Sequence, residues 1–185
     1  MTAGAAWVDE VCRDLQLDDV SDWLPWATRE QGNALGADGE GHGAAGVYLI
    51  GWGENVDAIE VLYIAGTGRA RTRLSRLEAQ VKWGLNYGFE ALRAEIQQRG
   101  DHRTMRHVWV KMIPISEEPL FASSLLTANR LNALGGRRRQ LEIVLLAEQY
   151  RRFCAPVPAN RRTLGLFAHE FADVRPHRSV QHAAA

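Results

Sequence analysis

Tyr48 and Tyr63 stand on two short apolar stretches, and Arg73 follows the second tyrosine by ten residues in a basic, amphipathic segment. Glu142 interrupts the apolar pattern of a later segment, and Asn160 follows Pro156-Val157-Pro158. These residue types suit attack on a phosphodiester. Such attack needs a water deprotonated near neutral pH and fixed positive charge where the phosphoryl oxygens gain electron density. An arginine offers a permanently charged planar fork to the phosphate and needs no tuning of its pKa. A single carboxylate, here Glu142, suffices to hold Mg²⁺ or Mn²⁺, since such an ion keeps several waters and binds the rest of its shell through substrate. One tyrosine could act as general base if the neighbouring cation and arginine lowered its pKa from about 10.

Each residue alone has an ordinary explanation. A tyrosine on an apolar strand is commonly a core ring whose hydroxyl finds a partner, and an arginine on an arginine-rich helix is commonly a solvated charge. A glutamate behind three arginines suits local ion pairs, and an asparagine after prolines suits a turn. Order and spacing carry more than any one residue.

The elements that must position them are legible. Ala45 to Gly51 and Ile59 to Ala65 read as buried strands joined by the turn-rich stretch 51–57, as in a hairpin. After Gly66-Thr67-Gly68 comes a helix in which Leu74, Leu77 and Val81 form an apolar stripe, with Arg69, Arg71, Arg73 and Arg76 on other faces. Gly66-Thr67-Gly68 lacks the spacing of a nucleotide-binding loop. A second helix is expected over Phe89 to Gln98, a third strand over Val108 to Ile115, and helices over Glu117 to Leu134 and Arg137 to Phe153. The last helix stops before Pro156 and Pro158, which cannot continue it.

Gly46-Val47-Tyr48 and Tyr63-Ile64-Ala65-Gly66, followed by Arg73, resemble the two strand motifs and the helical arginine of the GIY-YIG nuclease family. Leu141-Glu142-Ile143-Val144-Leu145-Leu146 and Pro158-Ala159-Asn160-Arg161 resemble that family's glutamate-bearing helix and the asparagine after it. The resemblance covers residues 45 to 162. It implies an α/β domain with a small, three-stranded, mainly antiparallel sheet flanked by helices. It also implies an endonuclease that uses Mg²⁺ or Mn²⁺, with DNA favoured over RNA. In that pattern Tyr48 is the base, Tyr63 orients water or phosphate, Glu142 is the metal ligand, and Asn160 fixes the glutamate or the tyrosine loop. Two positions depart from it. Ala65 stands where glycine is common, and Leu77, one helical turn after Arg73, replaces a histidine or tyrosine that assists proton transfer. Tyr87 and His102 are the groups that could substitute from elsewhere.

Charge agrees with a polyanionic partner once it is resolved along the chain. The formal net charge is zero, but residues 1 to 44 hold nine acids and only Arg13 and Arg29, while the remainder holds 20 bases and 13 acids. Clustered cations supply the sequence-independent part of nucleic-acid binding. Arg69, Arg71, Arg76, Arg137, Arg138 and Arg161 are the expected backbone contacts. Arg137 and Arg138 open a helix against its dipole, where a cation is disfavoured unless something else recruits it.

Residues 1 to 44 read as an acidic N-terminal helical extension, with a glycine-rich linker at 36–43; Ala5 to Trp26 is expected as one amphipathic helix, or one broken near Asp18-Asp19, with a short piece ending at Pro25. The extension could serve a homodimer or a protein partner. Residues 163 to 185 read as a C-terminal tail. No apolar run reaches the roughly 18 to 20 residues of a membrane span, and the start lacks a basic region leading into an apolar one, so a soluble, cytoplasmic protein is expected. Cys12 and Cys154 belong to no metal or disulfide framework. Two rival functions keep the same residues without catalysis: an inactive nucleic-acid-binding module of this fold, or a protein-interaction domain that uses the acidic N-terminal segment.

Overall fold

The structure, a computed structural model, describes residues 4–17, 19–29, 45–115 and 136–160. Its order is α1 (Ala6–Asp14), β1 (Leu24–Pro25), β2 (Gly46–Trp52), β3 (Glu60–Thr67), α2 (Ala70–Trp83), α3 (Glu90–Gln98), β4 (Val108–Pro114) and α4 (Arg137–Phe153). Short 3₁₀ turns lie at Trp26–Thr28, Val56–Ala58 and Pro158–Asn160.

The sheet is antiparallel throughout, in the order β1-β4-β2-β3. It has four strands where three were expected. The addition is the two-residue β1, paired as Leu24 with Val110 and Pro25 with Trp109. Proline is tolerated there because β1 is an edge strand and its missing N–H takes nothing from a ladder. The same stretch shortens the expected N-terminal helix, which ends at Asp14. Gln16 and Asp19 then take left-handed φ of 53° and 58°, which no continuing helix accommodates. The segments 36–43, 117–134 and 163–185, expected as linker, helix and tail, lie outside the described residues.

Both faces of the sheet are covered, so its strands are apolar on successive positions and do not alternate with polar ones. Val47, Leu49 and Ile64 face a core shared with Trp7, Val8 and Val11 of α1 and with Leu141, Leu145 and Leu146 of α4. Tyr48, Ile50 and Leu62 face the other core, with Leu74, Leu77 and Val81 of α2 and Leu92 and Ile96 of α3. A bulge in the β2–β3 pairing inserts Leu62 between the partners of Ile50 and Gly51. The extra residue lets Ile59 and Val61 face the first core while Tyr63 and Ala65 share the face of Tyr48. Among the described residues, no helix is long and apolar enough to cross a membrane. Of the two free cysteines, Cys12 is buried and Cys154 exposed.

Candidate active site

The expected site residues are organised by four consecutive positions of β3, Tyr63 to Gly66. Because β3 is an edge of the sheet, the groups of Ile64 that point away from β2 need partners from outside the sheet. Asn160 supplies both. Its Oδ1 accepts from the Ile64 N–H at 2.8 Å and its Nδ2 donates to the Ile64 carbonyl at 2.8 Å. The chain reaches this position because α4 ends at Cys154, in a left-handed conformation with its N–H on the Tyr150 carbonyl, and buried Val157 anchors the turn that follows.

Glu142 reaches the same strand from the first turns of α4. It is buried, its Oε2 accepts from the Gly66 N–H at 3.2 Å, and its Oε1 accepts from Arg139 Nη1 at 2.7 Å. Glycine at 66 allows this approach, since a Cβ there would lie 3.3 Å from the Arg138 Cβ and 3.7 Å from Glu142 Oε2. The glycine that follows Ala65 thus serves the close contact, and Ala65 itself is accommodated opposite Tyr48.

On the other face, Arg73 Nε donates to the Tyr48 hydroxyl at 3.3 Å, and its guanidinium lies over the ring of Phe89, 4.1 Å from the centroid. The Tyr48 and Tyr63 ring centroids are 6.0 Å apart, and Phe89 meets Tyr63 edge-on at 6.0 Å. Burial pushes the Tyr48 phenol well above its ordinary range, and neighbouring Tyr63 adds to the rise, while Arg73 opposes it. That direction is opposite to the lowering a general base requires. Tyr48 is fully buried, whereas Tyr63 keeps part of its surface in solvent. Burial works against the charge on Arg73, but the two phenols outweigh it and the net shift is upward, so the guanidinium stays charged.

The structure therefore brings Tyr48, Tyr63 and Arg73 together directly, and ties Asn160 and Glu142 to the backbone one and three residues beyond Tyr63, respectively, on the same strand. Leu77 is wholly buried in the core that holds Tyr48. Neither Tyr87 nor His102 has a hydrogen bond or ring contact with Tyr48, Tyr63 or Arg73 among the described residues. Two residues went unexpected. Phe89 opens α3 and forms the platform under Arg73, and buried Gln80 holds Phe89 in place by accepting its N–H at 2.8 Å.

Next to Glu142 lies a cleft of about 310 Å³, lined by Gly66, Thr67, Gly68, Gly136, Arg138 and Arg139 as well as the carboxylate. Of the expected backbone contacts, Arg138 is exposed on this cleft, Arg69 is exposed at the start of α2, and Arg137 is half-buried. Arg71 and Arg76 line a separate groove, and Arg161 lies outside the described residues. No group of three or more His, Cys, Asp or Glu is clustered for a metal among the described residues. Glu142 nevertheless fits a cation that needs one protein carboxylate, because among the described residues each of its oxygens accepts one hydrogen bond and retains a lone pair beside an open cleft. No family model, no curated protein and no solved structure matches the chain.

Proposed function

We propose that this chain is a metal-dependent endonuclease that hydrolyses phosphodiester bonds in nucleic acid, DNA in preference to RNA. The observation that carries this reading is the convergence of Tyr48, Tyr63, Arg73, Glu142 and Asn160 on positions 63 to 66 of β3. The resemblance of the same five positions to the GIY-YIG pattern supports it.

In this reading Arg73 holds the scissile phosphate and neutralises charge that develops on its oxygens. Tyr48 anchors Arg73 through Nε, and Phe89 supports the guanidinium from below, so the fork is fixed before substrate arrives. The partly exposed Tyr63, not the fully buried Tyr48, orients the attacking water. Glu142 would hold Mg²⁺ or Mn²⁺, which when bound supplies Lewis acidity and an acidified water at neutral pH. Arg138 and Arg139 draw the polyanion to the cleft. Asn160 positions β3 and touches no substrate.

Wild type and Glu142→Ala are to be incubated with supercoiled plasmid, single-stranded DNA and structured RNA, with Mg²⁺, with Mn²⁺ and with EDTA. Metal-dependent nicking or linearisation that the substitution abolishes supports the proposal. Intact nucleic acid under every condition sinks it. A non-catalytic binding module would then lead, favoured by the buried Leu77 at the position where the resemblance places a proton-transferring side chain.

A further inference from the structure

We infer that the groove beside α2 receives an unpaired, single-stranded segment of the nucleic acid, with its bases stacked on Tyr87 and Trp83 and its phosphates against Arg71 and Arg76. The groove encloses about 410 Å³ and is lined by Arg71, Thr72, Ser75, Arg76, Ala79 and Tyr87. Four large hydrophobic residues are exposed among the described residues, and three of them fall within five positions: Trp83 at 76%, Leu85 at 49% and Tyr87 at 41%. Such a concentration of exposed apolar surface marks a contact site.

Trp83 ends α2, and the loop after it that carries Tyr87 is held, not loose. Gln80 is buried, and its Oε1 accepts from the Tyr87 N–H at 2.7 Å as well as from the Phe89 N–H at 2.8 Å. One side chain therefore fixes the outer wall of the groove and the ring beneath Arg73 together. Arg71 and Arg76 are exposed on the adjoining helix face and pair with no described carboxylate, which leaves their charge for a polyanion.

Basic side chains interleaved with exposed aromatics suit single strands. In a duplex the faces of the bases are covered by their neighbours, so only the phosphates would be met and the rings would have no partner. An unpaired segment offers both. Entry of that segment toward Arg73 rests on the nuclease reading; its binding in the groove does not.

The test is fluorescence anisotropy in EDTA with a labelled oligothymidylate and with a duplex of the same length, each at two salt concentrations. Wild type, Trp83→Ala/Tyr87→Ala and Arg71→Ser/Arg76→Ser are compared; all four side chains are exposed, and circular dichroism checks that each variant is folded. The aromatic pair is expected to weaken oligothymidylate binding about tenfold or more while duplex binding changes about twofold or less. The arginine pair weakens both and flattens the salt dependence. Wild-type affinity of the aromatic variant for oligothymidylate, an equal loss on both probes, or no binding by wild type overturns the inference. So does a change confined to self-association in sedimentation, which would assign the patch to a second copy of the chain. Ring-dependent strand binding without plasmid cleavage sinks only the nuclease reading, whereas cleavage with ring-independent strand binding sinks only this one.

Discussion

Asn160 hydrogen-bonds both the N–H and the carbonyl of Ile64, each at 2.8 Å, and so closes one residue of the β3 sheet edge with a carboxamide in place of a further strand. All four groups are buried. Asn160→Ala leaves both backbone groups unsatisfied, and at about 1–3 kcal/mol for each the expected loss is about 2–6 kcal/mol in urea unfolding. Asn160→Asp keeps the acceptor but sets an oxygen against the Ile64 carbonyl, so it is expected to destabilise as well. A loss below about 1 kcal/mol for the alanine variant would show that water replaces the carboxamide.

The direction of the Tyr48 shift fixes a pH dependence. Burial raises the phenol's pKa, so its neutral form persists through the pH at which a free tyrosine ionises, and Tyr48 does not titrate between pH 6 and about 10. Tyr48→Phe removes the acceptor for Arg73 and, in the proposed nuclease, is expected to lower the rate of plasmid cleavage about tenfold to a hundredfold. The shape of the pH–rate profile over that range should be unchanged. Loss of an ascending limb in Tyr48→Phe would restore Tyr48 as the base and overturn the roles proposed for the two tyrosines.

Gly46 faces β4 so closely that a Cβ would lie 2.2 Å from the Ile113 carbonyl oxygen, a backbone atom that cannot yield without parting β2 from β4. Gly46→Ala is expected to cost about 3 kcal/mol or more, or to prevent folding. At Gly68 a Cβ meets only the far end of Arg138, 2.9 Å from its Nη1, which can swing away. Gly68→Ala should therefore leave the melting temperature nearly unchanged. Equal effects at the two positions would refute the distinction.

Several parts of this arrangement were legible because they obey local rules. The strands bearing Tyr48 and Tyr63 are short apolar runs, α4 was read with its observed bounds, and the turn at Asn160 follows from the prolines before it. What escaped depends on contacts distant in sequence. Leu24–Pro25 became a strand through pairing with Val110 and Trp109, and nothing in its own composition outweighs the proline. Gln80 carries no signal in its own helix; its role appears only where the chain returns and sets two N–H groups against its carboxamide. Phe89 was placed at a helix start, but its contact with Arg73 belongs to the packing of α3 on α2. The rise in the Tyr48 pKa could not be foreseen either, since desolvation depends on helices covering both faces of the sheet and no neighbour in sequence reports it.

Leu77 shows how packing limits a motif-based repair. It is wholly buried among the residues that hold Tyr48, and such a leucine contributes about 1.5–3 kcal/mol by burial. Leu77→His would restore the side chain that the resemblance leads one to expect, but would place an imidazole among apolar groups. The expected result is a loss of about 2–4 kcal/mol and no gain in cleavage rate. Faster cleavage at unchanged stability would show instead that this turn of α2 opens toward the cleft.

Arg152 links α4 to α1, and Glu148 holds it from its own helix. Glu148 accepts from Arg151 and Arg152 on its own helix, and Arg152 also reaches Glu10 of α1 at 2.5 Å. The Arg151 guanidinium, reinforced by Arg152 and only partly opposed by burial, holds the Glu148 carboxyl down at about 2, below its ordinary value of 4.5. A depressed carboxylate pKa stabilises the fold above the unfolded value and loses that contribution as pH falls through the folded one. Glu148→Gln is therefore expected to lower stability by about 1 kcal/mol at pH 7, an amount limited by partial solvent screening. The deficit should shrink between pH 4.5 and about 2, and with added salt. Urea unfolding of both proteins at pH 7, 5 and 3 measures it. A deficit that stays constant over this series would mean that Glu148 acts through packing and not through charge.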